Sequence, residues 1–291
     1  VTNLLDESTV EIPMEGLKES AGVMRRGEAF HAGQQVLDVG KRLTPIDLAL
    51  LAEIGQCRVQ VIPRPRVAVL ATGNELVECG TPTSPGQITN SNSPLLLSTL
   101  QAISAAPIDL GICPDDPDQL CESISEGLQA DVLLITGGVS AGVMDLVPGV
   151  LAELGVNEVF HKVKMKPGKP VWFGVKEHEG RRTLVFGLPG NPVSALVGVE
   201  LFVKPALRAL SGKSFAPPST TPGVLISEIA HKSGRPTYYP GAINFGERTA
   251  GKPTVTTLPW RGSADLAALT RANALVILPK GDYKYEPGQE V

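Results

Sequence analysis

Three short apolar runs, each closing on a glycine-bearing loop, constrain this chain more than any other feature. Residues 131–136 (Asp-Val-Leu-Leu-Ile-Thr) lead into Gly137-Gly138-Val139-Ser140, and residues 67–72 lead through Thr72 into Gly73-Asn74-Glu75. Residues 183–187 lead into Leu188-Pro189-Gly190-Asn191-Pro192. A run of this length without alternation is the pattern of a strand buried on both faces, and such strands belong to parallel sheets covered by helices. Helical patterns at 94–105, 117–129, 144–154 and 193–210 alternate with the runs. The pattern predicts an α/β fold, a three-layer α/β/α domain over residues 65–213. If the strands are parallel, their carboxyl ends share one crevice, which is where open α/β sheets bind ligands.

Glycine lets main-chain N–H groups approach a ligand without interference from a Cβ. Asn191 suits an N-cap and Pro192 a first helical position, so the third loop predicts a helix start that favours a phosphate or oxyanion. Each loop taken alone also reads as plain punctuation between strand and helix. None of the three matches G-x-x-x-x-G-K-[ST] or G-x-G-x-x-G, so the ordinary nucleotide-binding loops are not indicated.

Between the second and third loops lies Phe160-His161-Lys162-Val163-Lys164-Met165-Lys166-Pro167-Gly168-Lys169-Pro170. On an extended strand Lys162, Lys164 and Lys166 share one face, and a Pro167-Gly168 turn brings Lys169 round. That is a cradle for a polyanion, although a lysine-guarded edge strand accounts for the same residues. Glu75, Asp115, Asp116 and Asp145 fall near the loop ends. Carboxylates beside lysines suit Mg²⁺ bridging protein and phosphate; Asp115, Asp116 and Asp118 equally suit capping of the next helix.

Taken as a set, Pro65-Arg66-Val67-Ala68-Val69-Leu70-Ala71-Thr72-Gly73-Asn74-Glu75-Leu76, residues 136–145, Lys166-Pro167-Gly168-Lys169-Pro170 and residues 187–194 closely resemble the molybdopterin molybdenumtransferase family, which is similar to the E domain of gephyrin. The likeness runs from about Arg25-Arg26-Gly27-Glu28 to the last residue. It implies insertion of molybdate into adenylylated molybdopterin, with Mg²⁺-dependent release of AMP. It places Glu75, Asp115, Asp145, Lys162, Lys166, Lys169, Pro189 and Pro192 on family site positions. Of these, Glu75, Asp115, Asp145, Lys162 and Lys166 are expected to be catalytic, and the three acids to hold the metal. Thr72, Gly73, Asn74, Gly137, Gly138, Val139, Ser140, Lys169, Pro189, Gly190, Asn191 and Pro192 are expected to line the ligand. The resemblance also implies a homodimer and a molybdopterin adenylyltransferase as partner.

Some positions depart from the family pattern. Ala29 and Val143 stand where acids are common, Leu146 replaces a frequent Tyr, and Asn74 and Asn90 stand where Asp is often found. The family's additional N-terminal segment, with its Asp-Gly-Tyr and Thr-Gly-Ala-Pro motifs, has no counterpart here, so the chain reads as truncated, with weak or no turnover expected. Two other readings stay open: the related adenylyltransferase, and a non-catalytic molybdopterin-binding scaffold that has lost acidic groups.

A net charge of -4 with 4% aromatic residues argues against a nucleic-acid surface. Cys57, Cys79, Cys113 and Cys121 are too scattered for a zinc site or a disulfide framework, and reduced thiols in the cytoplasm are expected. No apolar stretch is long enough to span a bilayer, and no signal peptide is visible. Residues 1–64 read as a partial N-terminal domain of mixed, β-prone character with a connector. The Ser-, Thr- and Pro-rich residues 214–222 read as a linker, and residues 219–291 as a small β-barrel.

Overall fold

Alternate residues of the apolar runs enter two different cores, so the central sheet is buried on both faces. The computed structural model describes residues 3–12, 22–139, 145–214 and 216–291. The chain divides into two units, Val1–Gln60 and Val61–Val291.

In the first unit β1 (Asn3–Leu4) pairs antiparallel with β2 (Val10–Glu11), and α1 spans Pro45–Glu53. The start of α1 is fixed by a capping box. The Asp47 amide donates to the Thr44 hydroxyl and the Thr44 amide to the Asp47 carboxylate. Lys41, with its Nζ 2.5 Å from that carboxylate, is the main reason its pKa falls to about 2; the Thr44 hydrogen bonds add to it. A lowered pKa means that the support is present above about pH 4 and is lost as pH falls towards 2.

The second unit opens with β3 (Arg66–Thr72), the short β4 (Leu76–Val77) and β5 (Ile88–Thr89), then α2 (Asn92–Ala102), β6 (Ala106–Cys113), α3 (Pro117–Gly127) and β7 (Val132–Thr136). It continues through α4 (Val147–Glu153), β8 (Asn157–His161), β9 (Trp172–His178), β10 (Arg181–Leu188) and α5 (Pro192–Gly198). Six of these strands form one sheet in the order β6-β3-β7-β10-β9-β8. β6, β3, β7 and β10 run parallel, and β9 is antiparallel to both of its neighbours. Ala68, Leu70, Leu133 and Ile135 pack with Leu120 and Ile124 of α3 and Val150 and Leu151 of α4. Val67, Val69, Val132 and Leu134 pack on the opposite side with Leu96 and Leu100 of α2 and Ala195 of α5.

The helix expected over 193–210 is interrupted by a π-helical turn, Val199–Val203, before α6 (Lys204–Leu210). Pro205 explains the change: without an N–H it cannot donate back to Leu201, and the Lys204 amide bonds instead to the Val199 carbonyl, five residues back.

The last part of the unit contains β11 (Val224–Leu225), β12 (Ile229–Ser233), β13 (Thr237–Thr249), β14 (Lys252–Thr257), α7 (Leu266–Leu269), β15 (Ala274–Leu278) and β16 (Gly281–Tyr285). A closed barrel was expected here, and no closed ring of strands forms among the described residues. The strands make a four-stranded sheet, β11-β14-β13-β15, and a separate β12-β16 ribbon. Both contribute to one core, in which Leu225, Ile229, Val255, Val276 and Leu278 pack with Tyr285. The β13–β15 ladder stops at Thr237 and Leu278, and the residues next in register, Pro236 and Pro279, have no N–H with which to extend it. The Pro279 carbonyl faces His231 Nε2 of the ribbon at 3.1 Å. Among the described residues no helix is long and apolar enough to cross a membrane.

Candidate functional site

Strand register places the loop origins in a single row. Cys113 pairs with Thr72, Thr136 lies opposite both Ala71 and Leu188, Gly187 pairs with Trp172, and Trp172 pairs with His161. The segments that follow β6, β3, β7, β10 and β8 therefore leave from one edge of the sheet. This is the edge at which parallel sheets take ligands.

The three glycine loops are tied to one another as well as adjacent. The Gly73 amide donates to the Cys113 carbonyl at 3.2 Å, and the Gly137 amide to the Leu188 carbonyl at 3.2 Å. Gly137 has φ 92°, and a Cβ there would lie 2.2 Å from the Thr72 backbone oxygen, so only glycine fits. Gly73 is constrained by its φ of 146°; a Cβ there would meet only the movable Glu75 carboxylate, at 2.6 Å. The side chains of Asn74, Glu75 and Asn191 are exposed, and those of Thr72, Val139 and Pro189 are buried. Ser140 and Val143 lie outside the described residues.

The acids divide. Asp116 caps α3, its Oδ1 accepting from the Gln119 amide at 3.0 Å. Asp115 does not cap that helix; its amide donates to Asn74 Oδ1 at 3.1 Å, which ties the β6 loop to the β3 loop. Asp145 is half-buried two residues before α4, whose first residue, Val147, would meet a Cβ on Gly138 at 2.9 Å. Burial pushes the Cys113 thiol up, and the Asp115 and Asp116 carboxylates push it further against a lowering hydrogen bond from Ser123. Among the described residues no three His, Cys, Asp or Glu side chains converge to hold a metal.

The lysine segment departs from expectation. β8 ends at His161, Lys162 takes φ 71°, and residues 162–169 form a turn-rich loop in place of an extended strand. The strand form ends there, but the exposure still alternates: Lys162, Lys164 and Lys166 are exposed, Val163 is half-buried and Met165 is buried. Lys162, Lys164, Lys166 and Lys169 are all exposed. The backbone of Lys166 is pinned by the C-terminal sheet: its amide donates to the Pro236 carbonyl at 2.9 Å, and its carbonyl accepts from the Tyr238 amide at 2.8 Å. Asn191 is the N-cap of α5 and Pro192 its first residue, as expected, but the Asn191 side chain makes no capping hydrogen bond.

Two further residues belong to this edge. His161 Nε2 lies 3.0 Å from the Val139 carbonyl, so in the tautomer that donates there it anchors the β7 loop. Asn92 donates from Nδ2 to the Gly190 carbonyl at 2.7 Å. The string Asn90-Ser91-Asn92-Ser93-Pro94 was the signal available in the sequence, but it reads as a helix start. Asn90 does play that part, accepting from the Ser93 amide at 3.1 Å. A cavity of about 860 Å³ lies elsewhere, lined by Leu196, Leu201, Tyr238, Ile243, Val276 and Ile277, and shares no residue with the strand-end loops.

Comparison with known proteins agrees with this geometry. Residues 68–209 match the model for a "probable molybdopterin binding domain", and residues 222–291 match "MoeA C-terminal region (domain IV)". A molybdopterin molybdenumtransferase from Haemophilus influenzae is 34% identical over 277 residues, covering 94% of this chain and 67% of the relative. The chain belongs to the molybdopterin molybdenumtransferase family. Another member, from Bacillus subtilis, is 33% identical over 270 residues, with 92% of this chain and 61% of the relative covered. Two structures of the molybdopterin biosynthesis MoeA protein of Pyrococcus horikoshii match with TM-scores of 0.73 and 0.68 at 28% and 27% identity, over 91% of this chain and 62% of theirs. The chain thus spans about three fifths to two thirds of the length of the family members it matches.

Proposed function

We propose that the strand-end edge binds adenylylated molybdopterin and supports molybdate insertion with release of AMP. The observation that carries this reading is the single row of loop origins, Cys113, Thr72, Thr136, Leu188 and His161, with exposed lysines at one end and acids at the other. Membership of the family supports it. In this reading Thr72, Gly73, Asn74, Gly137, Gly138, Val139, Pro189, Gly190, Asn191 and Pro192 line the ligand. Lys162, Lys166 and Lys169 neutralise phosphate or molybdate and the charge that develops as the phosphoanhydride breaks. Glu75, Asp115 and Asp145 would hold Mg²⁺, which polarises the phosphate oxygens when bound. The helix-covered sheet is then a three-layer domain. A homodimer, a cytoplasmic setting and supply of the adenylylated substrate by a molybdopterin adenylyltransferase complete the proposal.

One observation favours a second reading, a non-catalytic binder. Asn74 spends its side-chain oxygen on the Asp115 amide, a structural tie with no charge to offer a metal. Incubation with adenylylated molybdopterin, molybdate and Mg²⁺ separates the two. The first reading expects AMP release that stops when Mg²⁺ is chelated. Tight binding of the substrate without AMP release, with release gained on Ala29→Asp and Val143→Glu, supports the binder and contradicts the enzyme.

A further inference from the structure

Asn92, the first residue of the eleven-residue α2, is 7% exposed, yet its side-chain oxygen Oδ1 is buried with no hydrogen-bond donor. The other half of the amide is committed, since Nδ2 donates 2.7 Å to the Gly190 carbonyl, 98 residues away in sequence. A backbone carbonyl only accepts, so the NH₂ must face Gly190, and Oδ1 is thereby fixed on the opposite side. A buried acceptor without a donor is costly, and few native side chains carry one. The adjacent amide shows that the local structure can satisfy such groups. Asn90 uses both ends on Ser93, Nδ2 to the hydroxyl at 2.9 Å and Oδ1 from the amide at 3.1 Å. The loop that the Asn92 amide holds lies against a second ligand loop, since a Cβ on Gly190 would lie 3.8 Å from Gly137 Cα.

We propose that Asn92 is a ligand-recognition residue: its NH₂ holds the Gly190 loop, and its Oδ1 accepts a hydrogen bond from an N–H or O–H of the bound pterin nucleotide. The inference rests on the proposed ligand class. Oδ1 is covered, so a donor reaches it only by replacing the packing above it. A ligand without that donor would leave the acceptor unpaired, which makes the contact selective. The donor has two sources in a pterin nucleotide, the ribose hydroxyls and the pterin amino group.

Calorimetric titration of the chain and of Asn92→Leu with two ligand pairs tests this. One pair is AMP and 2′,3′-dideoxy-AMP; the other is 2-amino-4-oxopteridine and 4-oxopteridine. The native chain is expected to prefer the donor-bearing member of one pair by about tenfold, and Asn92→Leu to reduce that preference to about twofold or less. The pair that responds names the source of the donor. Equal weakening of both members by Asn92→Leu would make Asn92 a structural latch and overturn the inference, as would the absence of any preference in a native chain that binds. If Asn92→Leu does not fold, Asn92→Asp keeps an acceptor while losing the NH₂. It is expected to retain the preference with weaker binding overall, and loss of the preference there also overturns the inference. A native chain that binds neither AMP nor pterin refutes the pterin-nucleotide reading itself.

Discussion

Gly137→Ala is expected to destabilise the second unit by about 3–5 kcal/mol, from the combined cost of a left-handed backbone for a non-glycine residue and of forced overpacking. The new methyl would lie 2.2 Å from the Thr72 carbonyl oxygen, and that oxygen cannot step aside because it belongs to the end of a central strand. Displacing it would disturb β3 and with it the hydrogen bond from the Gly73 amide to the Cys113 carbonyl. Gly149→Ala is the matched control. Gly149 lies within α4, and a Cβ there meets nothing within 4 Å. That substitution should be neutral or stabilise by up to about 1 kcal/mol through helix propensity. Urea denaturation of the two variants measures the contrast; similar midpoints would show that the β7 loop does not pack against Thr72.

Lys166→Ala is expected to weaken AMP binding about tenfold and Lys166→Glu about a hundredfold, the scale on which a charge-assisted hydrogen bond is first removed and then replaced by repulsion. Lys166 stands out among its neighbours because its backbone is held on both sides, by Pro236 and by Tyr238. An ammonium group on a fixed backbone loses less freedom when it engages an anion. Its side chain is exposed, so the effect should shrink at high salt, where the Debye length falls to about 3 Å at 1 M. Lys164→Ala is expected to cost less, since no equivalent pair of backbone bonds holds that residue. Titration calorimetry at low and high salt measures both; equal weakening by the Lys164 and Lys166 substitutions would indicate a diffuse cationic surface in place of a defined site.

The sequence carried the parallel sheet plainly. Runs such as Val132-Leu-Leu-Ile-Thr136 have no polar face, and only burial between helices satisfies them. It also carried the loop positions, because Gly73 and Gly137 occupy backbone geometry that other residues reject. The loop form of the lysine segment was hidden, since the period-two exposure of Lys162, Lys164 and Lys166 persists past the end of β8, where Lys162 turns left-handed. Closure of the C-terminal strands is not legible for a similar reason: β-prone runs reveal strands but not which sheet each joins. The positions of His161, nearest the lysine segment, and Asn92 were legible but their roles were not, because their partners, the carbonyls of Val139 and Gly190, are 22 and 98 residues distant. Long-range pairs of side chain and backbone leave no periodic trace.

Hydrogen exchange of backbone amides with and without AMP and Mg²⁺ tests the shared strand-end site most directly. Simultaneous protection of residues 73–75, 137–139 and 190–191 is the expected result. Protection of one loop alone, or of the cavity around Leu201 and Ile277 with these loops unchanged, would contradict it.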